Sequence, residues 1–169
     1  YEEACYEGFG AGGIALIVEV ITDNKNRSFA DLRTLFSKNN GNLGGSGSVS
    51  HMFDRKGEIK LSEESSDEEE VMLLAIEAGA EDVVNDDELY YVITANDKLS
   101  MVANAISASG AQIESQKIIY VPKTTESVRD LSTARQVLRL FAALDDYDDT
   151  QNVYGNFDIT EHLMEKIEI

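Results

Sequence analysis

The hydrophobic pattern changes period along this chain, and each change marks an element. Residues 14–21 form a largely apolar, β-branched run bounded by glycines before it and by Asp23-Asn24 after it, which predicts a buried strand. Phe29, Leu32 and Phe36 then recur at helical spacing. Ser28 reads as the N-cap of that helix, with Asp31 at its third position, and Gly41 reads as its stop. Residues 49–53 predict a strand, Arg55-Lys56-Gly57 a turn, and residues 58–61 another strand.

From residue 58 the pattern describes a second unit. Ser66 and Glu69 have capping-box spacing, and Val71, Leu74, Ala75 and Ala78 share a face of a helix that Gly79 ends. Residues 82–85 and 89–94 predict two strands joined by the acidic turn Asp86-Asp87-Glu88. Asp97 is placed to cap a helix with Leu99, Val102, Ala103 and Ile106 inward and Gly110 at its end. Residues 113–121 are the last strand, closed by Pro122. The order strand–helix–strand–strand–helix–strand is the ferredoxin-like pattern. A faint internal repeat, helix–Gly–Ala–strand at Gly79-Ala80 and again at Gly110-Ala111, fits two halves of one such unit.

A helix follows from about Ser132, with Ala134, Val137, Leu138, Phe141 and Leu144 on its apolar face. Residues 150–157 predict a strand, and 161–166 a short helix. Residues 1–57 supply too few strands to close a sheet, so 124–169 is expected to return and complete the first domain. The expected fold class is α+β in two domains. Residues 1–57 with 124–169 form one discontinuous α+β domain, and 58–123 form an inserted ferredoxin-like domain.

Charge alters this picture by being uneven. The net charge is −18. Residues 22–57 hold six Lys/Arg and three Asp; residues 58–97 hold one Lys and fourteen Asp/Glu; residues 145–169 hold one Lys and eight acids. Nucleic-acid binding over the whole surface is therefore excluded, and the chain alone is expected to bind nucleic acid weakly. The acidic run 63–70 reads as a solvated face. No apolar run reaches the roughly 18–20 residues of a membrane span. The lone Cys5 rules out an intramolecular disulfide, which fits a reducing compartment. The first residue, Tyr1, reads as the start of a processed or truncated fragment.

No catalytic constellation emerges. Gly8-Phe9-Gly10-Ala11-Gly12-Gly13 precedes a strand, whereas a dinucleotide fingerprint follows one and opens a helix. The loop at 41–48 lacks the Gly-Lys-Ser/Thr of a phosphate loop and the Gly-x-Ser-x-Gly of a nucleophile elbow. It reads equally as a connector or as a contact loop offering backbone N–H groups. Asp145-Asp146-Tyr147-Asp148-Asp149 lacks the Gly and Glu of a calcium loop and reads as a helix end with a solvated turn. His51, placed in a strand, and His162 stand apart from other metal ligands. Cys5 carries no sign of activation. An enzyme, a metal and a cofactor are not expected, nor is a small-molecule substrate. The candidate nucleic-acid contacts are Asn24, Lys25, Asn26 and Arg27, then Asn42, Gly44, Gly45, Ser46 and Ser48, then Arg55 and Lys56. The segments 23–27, 41–48 and 55–57 are expected to converge on the surface of the first domain.

Five segments together resemble the YebC family: Tyr6-Glu7-Gly8-Phe9-Gly10; Thr22-Asp23-Asn24-Lys25-Asn26-Arg27; Gly41-Asn42-Leu43-Gly44 with Gly47-Ser48-Val49; Met52-Phe53-Asp54-Arg55-Lys56-Gly57; and Asp148-Asp149-x-Gln151-Asn152-Val153-Tyr154-x-Asn156-Phe157-Asp158. Ala11 stands where the family commonly has Pro, and Thr150 where it commonly has Val. The resemblance implies three domains, of which a basic N-terminal helical one would precede this chain and the third, ferredoxin-like, is inserted in the second. It implies a non-enzymatic, ribosome-associated translation factor that contacts ribosomal RNA through the glycine-rich loops and basic tips and aids synthesis through proline-rich stretches. The second reading is a DNA-binding transcriptional regulator reaching DNA through the N-terminal domain. Either implies the cytoplasm, or the mitochondrial matrix in a eukaryotic member, and no membrane partner.

Overall fold

The computed structural model describes residues 1–62, 68–86 and 89–167. The chain divides into two compact units, Tyr1–Phe53 with Pro122–Ile169, and Asp54–Val121.

The first unit is built on a four-stranded sheet. Strands β1 (Glu2–Phe9) and β2 (Ala15–Thr22) form an antiparallel hairpin with Glu2 opposite Thr22 and Phe9 opposite Ala15. The short β3 (Asn42–Leu43) extends it beside Gly8 and Phe9, and β9 (Thr150–Gly155) pairs with β2, giving the order β3-β1-β2-β9. Helices α1 (Lys25–Lys38) and α4 (Leu131–Asp146) supply the other layer. Leu32 and Phe36 of α1 and Ala134, Val137, Leu140 and Leu144 of α4 are buried in one cluster with Ile14, Leu16, Val18 and Val20 of the β2 segment. A smaller parallel pair joins β8 (Glu126–Val128) to β10 (Phe157–Ile159), followed by α5 (Glu161–Glu165).

The second unit runs β4 (Phe53–Leu61), α2 (Glu68–Glu77), β5 (Asp82–Asp86), β6 (Leu89–Ala95), α3 (Leu99–Ala108) and β7 (Ile113–Pro122). Its sheet order is β5-β6-β4-β7, the ferredoxin-like arrangement. It has its own core, in which Ile59, Leu61 and Val92 of the sheet meet Val71 and Ala75 of α2 and Val102, Ala103 and Ile106 of α3. The predicted helix stops Gly79 and Gly110 both adopt left-handed backbone, at φ 112° and 93°.

Several local expectations are corrected. Asn24, not Ser28, caps α1: its side chain accepts the Arg27 N–H, while Ser28 is buried inside the helix. The left-handed residue after α1 is Asn40, at φ 62°. Gly41 is needed for closeness instead, since a Cβ there would lie 2.6 Å from the Phe9 carbonyl oxygen. Residues 49–52 are not a strand, which starts only at Phe53; Ser50–Met52 is a 3-10 turn, which also carries His51. Arg55-Lys56-Gly57 is not a turn but the middle of β4, because Gly57 lets the strand pass under Leu99, whose Cβ would be 2.9 Å from an added methyl. Asp97 lies within a 3-10 turn, Asn96–Lys98, and does not cap α3. Asn156 separates β9 from β10 where one strand was expected. The Ser66 cap lies outside the described residues, as do Asp87 and Glu88 of the acidic turn.

Candidate nucleic-acid interface

The two glycine- and polar-rich segments of the first unit turn out to be held by carboxylates from within. Glu7, 6% exposed on β1, reaches across to the loop that follows β3. Its Oε2 accepts the Gly47 N–H at 2.7 Å, and its Oε1 accepts the N–H groups of Val49 at 3.0 Å and Ser50 at 2.6 Å. Its backbone carbonyl takes the Gly44 N–H at 2.8 Å, and the Ser48 N–H goes to the Gly45 carbonyl. Burial raises the Glu7 pKa, but the three backbone N–H donors outweigh it and hold the carboxyl below its ordinary value. The loop therefore spends these N–H groups on Glu7 rather than offering them to a phosphate. Ser48 turns its Oγ inward, 2.6 Å from where a Gly44 Cβ would stand.

The second carboxylate is Asp149. A bulge in the β2–β9 ladder and the bond from the Ile21 N–H to the Asp149 carbonyl bring its side chain over the end of β2. Its Oδ2 accepts from Arg27 Nη2 and Ser28 Oγ, each at 2.9 Å, from the Tyr147 hydroxyl at 3.2 Å and from Thr22 Oγ1 at 3.3 Å. Arg27, hydrogen-bonded there, depresses the Asp149 pKa, with Ser28 assisting. Tyr147 also donates to Asp31 at 2.7 Å, and burial with that bond pushes its pKa up to about 12. The expected solvated turn is thus a knot tying α1 to β2 and β9.

The predicted contact residues are accordingly dispersed and mostly engaged. Asn24 caps α1, Lys25 pairs with Glu2 at 3.4 Å, and Arg27 is held between Asp23 and Asp149, both at 2.9 Å. Asn26 is exposed on α1. Asn42 lies in β3; Gly44 bonds the Glu7 carbonyl and faces Ser48, and Gly45 and Ser46 are exposed. Arg55 and Lys56 belong to the second unit, where Arg55 stacks on Tyr120 with its guanidinium carbon 4.4 Å from the ring centre and Lys56 pairs with Glu81 at 2.6 Å. The single convergent surface is overturned. Residues 23–27 begin at the Glu2–Thr22 end of the hairpin, and the glycine loop is anchored at Glu7 and Gly8, five or six residues further along β1, which is roughly 17–20 Å.

What joins those two ends is α1, whose outer face the sequence reading passed over. Asn26, Phe29, Ala30, Arg33, Thr34, Ser37 and Lys38 line one shallow groove along it, without an acid among them. Among the described residues, Arg33 and Lys38 have no ion-pair partner. Phe29, expected in the core, is 41% exposed in the centre of this face. The helix carries Lys25, Arg27, Arg33 and Lys38 against Asp31 alone. The signal available in the sequence was the spacing Asn26–Arg33–Ser37 opposite Leu32 and Phe36, with acids missing from it.

The units differ in charge as well. The first holds nine Lys/Arg and sixteen Asp/Glu, net −7, and the second five and sixteen, net −11, together the −18 of the chain. Among the described residues no three His, Cys, Asp or Glu side chains gather as a metal site, and no helix is long and apolar enough to cross a membrane.

Fold and surface together define a two-unit α+β protein with a ferredoxin-like second unit and a basic helical face on the first. The chain belongs to the family described as the TACO1/YebC second and third domain, which it matches over residues 1–157. It is 47% identical over 167 residues to a probable transcriptional regulatory protein of Desulfotalea psychrophila, and 47% identical over 169 residues to one of Halothermothrix orenii. Each alignment takes in 99% of this chain and 67% of the relative. A crystal structure of a conserved hypothetical protein from Aquifex aeolicus superposes with a TM-score of 0.87 at 41% identity, over 95% of this chain and 66% of that one. The chain thus spans about two thirds of the proteins it matches. The relatives from Desulfotalea psychrophila and Halothermothrix orenii are named as probable regulatory proteins, not as enzymes. Their names overturn the expectation of a ribosome-associated translation factor. That expectation leaned on basic tips which the structure shows paired with acids or stacked on a ring.

Proposed function

We propose that the chain is a non-enzymatic part of a transcriptional regulatory protein, and that it meets DNA phosphates through the outer face of α1. The observation that carries this is the acid-free groove of Asn26, Phe29, Arg33, Thr34, Ser37 and Lys38 on a chain otherwise so acidic, in a family whose curated relatives are named transcriptional regulators. Fourteen helical residues make a rod about 21 Å long, a shape that the major groove of B-DNA admits. Arg33 and Lys38 supply phosphate contacts, and Asn26, Thr34 and Ser37 supply hydrogen bonds. The rest of the surface repels the duplex, so affinity is weak and highly dependent on salt.

The test is anisotropy with a labelled mixed-sequence 30-base-pair duplex at low salt. The Arg33→Glu, Lys38→Glu double variant should bind about tenfold more weakly, with a shallower salt dependence. Equal binding by the variant, or no binding by the unchanged chain even at low salt, overturns the reading.

A further inference from the structure

Helix α2 of the second unit is apolar on more sides than the fold uses. Six consecutive apolar residues, Val71 to Ile76, occupy it. Val71 and Ala75 are buried in the unit's core. Met72, Leu73 and Ile76 point outward, with Leu73 65% and Ile76 49% exposed. Met101 of the neighbouring α3, 52% exposed, lies apart from these at the end of α2, where its Cε is 3.6 Å and the Lys98 Cδ 3.8 Å from the place a Gly79 Cβ would take. Isolated surface apolar residues need no explanation, but Met72, Leu73 and Ile76, spaced three and four residues apart about Ile76 on one helix, form a patch of the kind that marks an interaction surface.

The rim says what fits there. A groove between α2 and the end of α3 is lined by Glu70, Val71, Leu73, Leu74, Glu77 and Ser109, with no cation. Helix α2 itself carries four Glu and no Lys or Arg. Nucleic acid and anionic membranes are repelled by such a rim, and a second copy of this chain would bring the same acids against it. A partner with an apolar stripe flanked by Lys or Arg is attracted by both features.

We infer that the Met72–Leu73–Ile76 face of α2 is a docking site for a basic amphipathic helix of a partner protein, bound with its apolar stripe on α2 and its cations toward Glu70 and Glu77. This surface lies wholly on the second unit and is independent of the DNA reading for α1.

The test uses a labelled 14-residue peptide of Leu and Lys spaced to form an amphipathic helix, and a scrambled peptide of the same composition and charge. The whole chain should bind the patterned peptide at least tenfold more tightly at 0.15 M salt. Leu73→Ser with Ile76→Ser, at exposed positions that leave charge unchanged, should remove that preference. Glu70→Lys with Glu77→Lys, which spares the apolar face, should abolish binding of both peptides. Arg33→Glu with Lys38→Glu should leave the preference untouched, which separates this site from the DNA face. Equal affinity for the two peptides, or a preference that survives Leu73→Ser with Ile76→Ser, overturns the proposal. So does sedimentation showing a dimer of this chain that those two serines dissociate, because the occupant would then be a second copy.

Discussion

The motif-rich loops of the first unit and the outer face of α1 make an instructive pair. The loops hold the conspicuous residues, Glu7, the glycines at 41–47, Asn24, Arg27 and Asp149. Nearly all of these bond to one another: Glu7 takes three loop N–H groups, and Asp149 gathers Arg27, Ser28, Thr22 and Tyr147. The α1 face holds unremarkable residues, yet Arg33 and Lys38 there have no ion-pair partner among the described residues. Dense polar motifs in a small unit are expensive to bury, so most groups find a partner, the buried Ser48 Oγ being an exception among the described residues. That need consumes the very groups a sequence reader assigns to ligands. Contact chemistry is left to side chains with nothing to hold inside.

This comparison predicts large stability effects in the loops and small ones on the helix. Replacement of Glu7 by Ala should cost most, about 3–5 kcal/mol by chemical denaturation, because it strands the N–H groups of Gly47, Val49 and Ser50. A loss under 1 kcal/mol would show that the loop holds its shape without the carboxylate.

Asp149→Ala should cost roughly 1–3 kcal/mol, since it removes the shared acceptor of Arg27, Ser28 and Tyr147. The same two carboxylates contribute to the acid response, as does Asp130, whose pKa is lowered by the Thr133 N–H and hydroxyl. All three have depressed folded pKa values, so their stabilisation is present above the ordinary carboxylate range and is lost as pH falls through the folded values. Melting temperature followed downward from pH 5 should fall for the unchanged chain, and less steeply for Glu7→Gln. Parallel curves for the two would remove Glu7 from the account.

Tyr147 gives an opposite and smaller effect. Its pKa is raised from 10.0 to about 12, so the folded state keeps a proton that the unfolded chain releases. Its contribution is complete below pH 10 and is lost as pH rises toward 12. Tyr147→Phe should be less stable at pH 7 and should flatten the alkaline limb of the stability curve. An unaltered limb would place the alkaline sensitivity elsewhere.

The smallest stability change belongs to α1. Arg33→Ala with Lys38→Ala should alter unfolding free energy by no more than about 0.5 kcal/mol, as for exposed side chains without structural partners. A loss comparable to that of Glu7→Ala would erase the distinction between the two regions.

By itself the sequence determined the elements whose signal is local. The continuous apolar, β-branched run became β2, the inner stripes of α1, α3 and α4 became core apart from Phe29, and Gly79 and Gly110 ended helices with the positive φ that glycine adopts readily. The strand–helix order of the second unit was legible for the same reason. Tertiary structure alone decided β1, β3 and β8, whose sequences lack clean alternation and are made strands by the partners they pair with. It also decided that Gly57 sits in a strand, since a glycine that admits a neighbouring helix and one that makes a turn look alike in sequence. The destination of each polar side chain was equally hidden. Glu7 meets its loop some forty residues on and Asp149 meets Arg27 across 122 positions, and no local pattern encodes bonds that only the folded sheet brings within 3 Å.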